Sequence, residues 1–105
     1  MKRSDAIAQN RRLVAEGERL QVAPSLAALR TWLKLSDELL SAVWGSMDRY
    51  HLAWLGVGRS NAIRGRPMTP EEEAGYVRDV AAQKTAALSM SLKALEEHMP
   101  FVGEG

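Results

Sequence analysis

The chain has 105 residues and a mass of 11.6 kDa, with 14 Lys and Arg, 13 Asp and Glu, and no cysteine. A chain of this length builds one domain, which buries about 65% of the surface that the unfolded chain exposes. The lack of cysteine excludes disulfides, cysteine-ligated zinc, iron–sulfur clusters and thiol nucleophiles. No apolar run approaches the roughly 20 residues that span a bilayer, and the N-terminus lacks the apolar stretch of a signal peptide. We therefore expect a soluble, cytoplasmic protein with no membrane partner.

Apolar residues recur at helical spacing in three segments, and no segment shows the alternation of a β-strand. This pattern predicts an all-α fold. The first helix is expected over 5–22, because Ser4 and Asp5 are N-cap residue types and Pro24 ends the pattern.

The second predicted helix carries the widest apolar face. Ser25 is a suitable N-cap, and the apolar side chains that follow fall within an arc of about 160° as far as Leu55. The arc stays in phase across Ser36, where Ser-Asp-Glu resembles a new helix start. One continuous helix over 25–55, about 45 Å long, is therefore favoured over a break at Ser36.

The third predicted helix has the clearest start signal in the chain. Thr69 is followed by Pro70 and Glu72, which is the arrangement of an N-cap, a first-turn proline and a capping box. The helix is expected over 69–98, and residues 100–105 are expected to form a short frayed tail.

Three polar residues, Lys84, Ser91 and His98, are spaced by seven along the third predicted helix, beside or within its apolar face. Polar residues at such positions can set the register and the oligomeric state of a bundle. The interpretation we favour is local: Lys84 extends to the surface from the rim, and Ser91 bonds its own helix backbone.

The second and third predicted helices have nearly equal lengths, so a long antiparallel hairpin is the simplest architecture. Two such helices and a shorter first one cannot cover an apolar face that includes three Trp. The uncovered surface predicts self-association, most simply as a two-fold dimer that completes a helical bundle. The side chains expected at the oligomer interface are Trp32, Trp44, Met47 and Trp54.

Charge is distributed unevenly along the chain. Up to Arg66 there are 11 Lys and Arg against 6 Asp and Glu, a balance of +5, whereas the remainder has 3 against 7, a balance of −4. Ten of the 14 cations are Arg, and three of them lie in the Gly-rich connection 56–68. The planar fork of Arg suits phosphate, and Gly lets backbone N–H groups approach an anion closely.

This combination favours nucleic acid as a partner; an acidic protein and a merely solvated connection are the alternatives. The residues expected to bind the anion are Arg11, Arg12, Arg59, Ser60, Asn61, Arg64 and Arg66.

Residues 51–64 resemble the turn and second helix of a helix-turn-helix, because a Leu-Gly-Val turn precedes a short polar stretch. The resemblance covers only these residues and departs from the usual pattern. Leu52 stands where a small residue is usual, and Gly65 and Pro67 would end the second helix after two turns at most. The resemblance implies that Arg59, Ser60, Asn61 and Arg64 face a nucleic-acid groove.

Catalysis finds little support in the sequence. Asp48 and His51 lie three apart on one helical face, and the hairpin would bring Glu73 opposite them, in a spacing similar to that of di-metal bundles. A second such motif is missing, so an Asp–His hydrogen bond is favoured over a metal. No serine nucleophile elbow, P-loop or dinucleotide fingerprint is present.

We therefore expect a non-catalytic, oligomeric helical protein without a cofactor. It would bind an anionic partner, nucleic acid being favoured, through the Arg/Gly connection and the basic first helix. The alternative is an interaction or assembly protein that docks a protein partner through its Trp-rich helix face.

Overall fold

A computed structural model describes residues 1–57 and 68–102. These residues form four helices and no strand, so the all-α prediction is confirmed. The helices are α1 (Arg3–Val22), α2 (Leu26–Trp44), α3 (Arg49–Leu55) and α4 (Pro70–Glu96). Within the described ranges, no helix combines the length and the apolar character that crossing a membrane requires.

The first predicted helix corresponds to α1, which begins two residues before the expected start and ends where expected. The Ala23 backbone N–H still donates to the Arg19 carbonyl, at 2.8 Å, and Pro24 follows. Proline lacks an N–H group and disfavours a helical conformation in the residue before it, so the helix cannot continue.

The prediction of one helix over 25–55 is wrong, because the chain turns between α2 and α3. Gly45 ends α2 with a φ of 95°, and Met47 has a φ of 68°. Glycine reaches this left-handed region without a Cβ clash, whereas a side-chain-bearing residue such as Met47 needs support from its surroundings. The phase of the apolar pattern could not reveal the turn, because α3 still buries Trp54 against the same core. Ser36 lies inside α2 without a break.

The predicted cap of α1 at Ser4 or Asp5 is wrong, because Lys2 is the N-cap and no side chain caps this helix. The other two predicted caps are present. The Ser25 hydroxyl accepts a hydrogen bond from the Ala28 N–H at 3.2 Å. Thr69 and Glu72 form the reciprocal capping box: the Thr69 hydroxyl accepts from the Glu72 N–H at 3.2 Å, and the Glu72 carboxylate accepts from the Thr69 N–H at 3.0 Å. The start of α4 is therefore as the sequence predicts, and α4 ends at Glu96, two residues earlier than expected.

Helix α1 runs antiparallel to α4. Asn10 contacts Leu88 and Ser91, whereas Gly17, two turns further along α1, lies against Thr85. Gly17 permits this close approach, because a Cβ placed there would lie 1.9 Å from the Thr85 hydroxyl oxygen. The two helices therefore approach each other at this crossing more closely than any residue with a Cβ would allow.

Helix α2 runs in the same direction as α4. Its first residue, Leu26, lines a small cavity with Pro70 and Val77 at the start of α4, and its last residue, Trp44, donates a hydrogen bond to Ser91 near the other end. The short helix α3 returns along α4 in the antiparallel direction. The antiparallel partners of α4 are therefore α1 and α3. Helix α2, the longer part of the second predicted helix, is not one of them.

The three tryptophans are buried within the single chain, with 3 to 5% of their surface exposed. Helices α1 and α4 of the same chain cover the face that the sequence suggested would be left open. The Trp32 indole N–H donates to the Leu13 carbonyl of α1 at 2.8 Å. Burial removes the reason for assigning Trp32, Trp44 and Trp54 to an oligomer interface, while Met47 is 60% exposed. Self-association itself stays a prediction.

The expectation of a frayed tail is wrong for its first part. Phe101 is buried and lies edge-on to Trp44, with ring centroids 6.3 Å apart. Arg3 stacks over the Phe101 ring and donates hydrogen bonds to the carbonyls of Leu95 and Met99, at 2.9 and 3.0 Å. The N-terminal turn of α1 therefore holds the end of α4 and the residues that follow it.

Candidate functional site

The predicted anion-binding residues fall into two groups. Arg59, Ser60, Asn61, Arg64 and Arg66 belong to segment 58–67, which lies outside the described residues, as does most of the second helix of the helix-turn-helix resemblance. Arg11 and Arg12 lie on the solvent-facing side of α1. Only the α1 group lies among the described residues.

The α1 cations differ in their surroundings. Arg11 is engaged by Glu96 of α4, with a guanidinium nitrogen 2.5 Å from the carboxylate. Arg12 is exposed and makes no ion pair within the described residues. Arg19 is exposed and lies 3.4 Å from Glu16 of its own helix. Arg12 and Arg19 are seven residues apart, which places them on one line of the helix and about 10 Å apart along its axis.

The position of this line relative to segment 58–67 follows from the helix directions. Because α1 is antiparallel to α4, Arg19 lies toward the end of the bundle at which α4 begins. Met68, which directly follows the segment, lies at that end too. The C-terminal half of α1 and Met68 therefore lie at the same end of the molecule.

The group Asp48, His51 and Glu73, considered as a metal site, is not assembled. His51 bonds Asp37 of α2 instead of Asp48, and Glu73 lines the small cavity, of about 180 Å³, between the starts of α2 and α4. Among the described residues, no three His, Cys, Asp or Glu side chains lie close enough to hold a metal ion.

The contact of His51 with Asp37 was not foreseen from the sequence, and it places Ser41 nearby, 3.5 Å from Nε2. The arrangement differs from a catalytic triad. His51 Nδ1 accepts a hydrogen bond from the Met47 backbone N–H at 2.9 Å, so Nε2 carries the ring proton and donates a hydrogen bond to Asp37. Both ring nitrogens are occupied, and neither can take a proton from Ser41. This cluster joins α2 to α3 across the turn, and its only sequence signal is the spacing of four between Asp37 and Ser41.

Lys84 does not extend to the surface, so the favoured interpretation of that residue is wrong. Its side chain is buried, with Nζ 2.6 Å from the Trp54 carbonyl oxygen and 3.9 Å from the centroid of the Trp54 ring. A buried ammonium requires such partners, because water no longer stabilises its charge. Lys84 thus connects α4 to the end of α3.

Ser91 likewise bonds other helices instead of its own backbone. Its hydroxyl donates to the Asn10 side-chain oxygen at 2.8 Å and accepts from the Trp44 indole N–H at 2.8 Å. The Asn10 amide nitrogen in turn donates to the Leu88 carbonyl at 2.9 Å. One fully buried network therefore joins α1, α2 and α4, while His98, the third residue of the spacing, is exposed.

No protein-family model, curated protein or solved structure matches this chain.

Proposed function

We propose that this protein is a non-catalytic helical protein that binds an anionic partner, nucleic acid, through segment 58–67 and the solvent-facing cations of α1. The observation that carries the proposal is the concentration of arginine. The ten-residue, Gly-containing segment 58–67 carries three Arg. The chain up to and including Arg66 has a charge balance of +5. Arginine forks and accessible backbone N–H groups suit phosphate oxygens.

The described residues support an approach from the α1 side. Arg12 and Arg19 project from one line of α1 and lie on the outside of the bundle, where a phosphate backbone can reach them. The first turn of α4 carries Glu71, Glu72 and Glu73 near the same end of the molecule. This turn would repel a polyanion, which leaves α1 as the cationic surface at this end of the described structure.

The alternative, docking of a protein partner through a Trp-rich face, lacks a specific observation in its favour. All three tryptophans are covered within the chain, and opening that face would expose core residues. Nor does the His51 cluster suggest hydrolysis, because both of its ring nitrogens hold hydrogen bonds.

The test is binding of fluorescein-labelled 20-mer DNA and RNA, single- and double-stranded, measured by fluorescence anisotropy at several salt concentrations. The central variant replaces the three arginines of segment 58–67 by Gln. We expect it to melt within a few degrees of the wild type and to lose up to about three units from the slope of log K against log salt.

A matched control has the same change of charge at exposed arginines outside the proposed surface. It replaces Arg30, Arg49 and Arg78 by Gln, one residue from each of α2, α3 and α4. We expect this variant to retain most of the salt dependence. Absence of binding at low salt, or an equal loss in the two triple variants, would refute a phosphate site at segment 58–67.

A further inference from the structure

His51 is a buried titratable side chain that the proposed function does not use. Only 4% of its surface is exposed, and its ring joins α3 to α2. Nδ1 accepts a hydrogen bond from the Met47 backbone N–H at 2.9 Å, and Nε2 contacts the Asp37 carboxylate. Because a backbone N–H is always a donor, this arrangement requires an Nδ1 without a proton and therefore a neutral ring.

We propose that His51 is a pH-sensitive lock on the turn between α2 and α3, closed when the ring is neutral and released when the ring takes up a proton. Imidazole is the side chain whose charge changes between about pH 5 and pH 8. In the imidazolium form Nδ1 also carries a proton, which would point at the proton of the Met47 N–H. The hydrogen bond that closes the turn would become a contact between two donors.

The turn depends on this hydrogen bond because of the backbone conformation of Met47. Its φ of 68° lies in the left-handed region, which is unfavourable for a residue with a side chain and persists only with support from its surroundings. The Met47 side chain is 60% exposed, so its own packing supplies little of that support. Helix α3 has seven residues, and a helix of this length is not stable by itself. Loss of the bond is therefore expected to loosen α3 together with the turn.

The charged groups around His51 determine the direction of the effect. From α2, Asp37 attracts an imidazolium, but its side chain is half exposed and it already accepts the Nε2 proton of the neutral ring. From α4, Lys84 lies over the ring of Trp54, and this ring stacks on His51, so Lys84 opposes a second cation here. Asp48, at the start of α3, is exposed. Water screens the attraction of the two carboxylates, whereas the bond at Nδ1 is lost completely, so protonation favours the open turn.

Hydrogen exchange measured by mass spectrometry tests the lock on the wild-type protein. We expect the amides of residues 45–55 to lose protection by about tenfold or more between about pH 8 and pH 5, after correction for the intrinsic exchange rates. The amides of α1 and α4 should keep their protection. Nitrogen-15 NMR of the histidine rings should show that His51 takes up its proton over the same pH range.

The chain has two histidines, which supply a matched pair of variants. In His51→Asn the amide oxygen can accept the Met47 N–H but cannot be protonated, so exchange at 45–55 should no longer respond to pH. In His98→Asn the response should be that of the wild type, because His98 is exposed and Asn tolerates its φ of 62°.

The lock is independent of anion binding, because neither α1 nor segment 58–67 takes part in it. A His51 ring that stays neutral down to about pH 5 would overturn the proposal. So would protonation of His51 in the wild type without a loss of protection at 45–55, a result that does not depend on the folding of any variant. A pH response that persists in His51→Asn and disappears in His98→Asn would assign the effect to the wrong histidine and overturn it as well.

Discussion

Replacing glycine by alanine is expected to have opposite effects on stability at two sites, Gly17 and Gly75. An alanine Cβ at Gly17 would lie 1.9 Å from the Thr85 hydroxyl oxygen and 2.7 Å from a ring carbon of Trp32, and both distances are too short for real contacts. At Gly75, in α4, an added Cβ meets no atom of residues 1–57 and 68–102 within 4 Å. An added methyl group would therefore overpack the structure at Gly17, whereas there is room for it at Gly75.

The expected magnitudes follow from two opposing effects. Alanine favours a helix over glycine by about 1 kcal/mol, whereas overpacking of a core costs up to about 3 kcal/mol. Trp32 cannot move away freely, because its indole N–H is held by the Leu13 carbonyl. We therefore expect Gly17→Ala to lower the free energy of unfolding by about 2 kcal/mol. Gly75→Ala should raise it by up to about 1 kcal/mol.

Urea denaturation followed by far-ultraviolet circular dichroism measures both changes. A second substitution, Thr85→Ala, identifies the origin of the strain. The Thr85 hydroxyl is buried and has no hydrogen-bond partner among the described residues, so its removal leaves no other described group unsatisfied. We expect Gly17→Ala to cost about 1 kcal/mol less when Thr85 is already alanine. Equal stabilisation by alanine at Gly17 and at Gly75 would refute the close approach of α1 to α4.

Two further substitutions test the start of α4 and the buried network. Thr69→Ala removes the hydroxyl that accepts from the first turn of α4 and should lower the free energy of unfolding by about 1 kcal/mol, so an unchanged urea midpoint would contradict the capping box. Ser91→Ala leaves a buried indole N–H and a buried amide oxygen each without this partner and should cost about 2 kcal/mol in the same assay. Ser89→Ala, two residues away and exposed, should change stability by less than about 0.5 kcal/mol; a loss at Ser91 no larger than this would contradict the network.

The sequence by itself determined the features that depend on neighbouring residues. Helical periodicity identified the fold class, and the caps at Ser25 and Thr69 marked where α2 and α4 begin. A cap involves groups three residues apart, so the residues that make it can be read together in the sequence. The left-handed turn after Gly45 was missed, because the turn left the inward apolar pattern intact on both sides.

Only the tertiary structure decided which surface covers each apolar face and which partner each polar group takes. Ser91 bonds a residue 81 positions away, and Lys84 bonds a carbonyl 30 positions away, so spacing along α4 alone favoured the wrong partners. The same holds for the tryptophans, because Trp32 contacts α1, and Trp44 and Trp54 contact α4. The burial of a residue depends on contacts with residues far away in the sequence. A local sequence pattern does not determine those contacts.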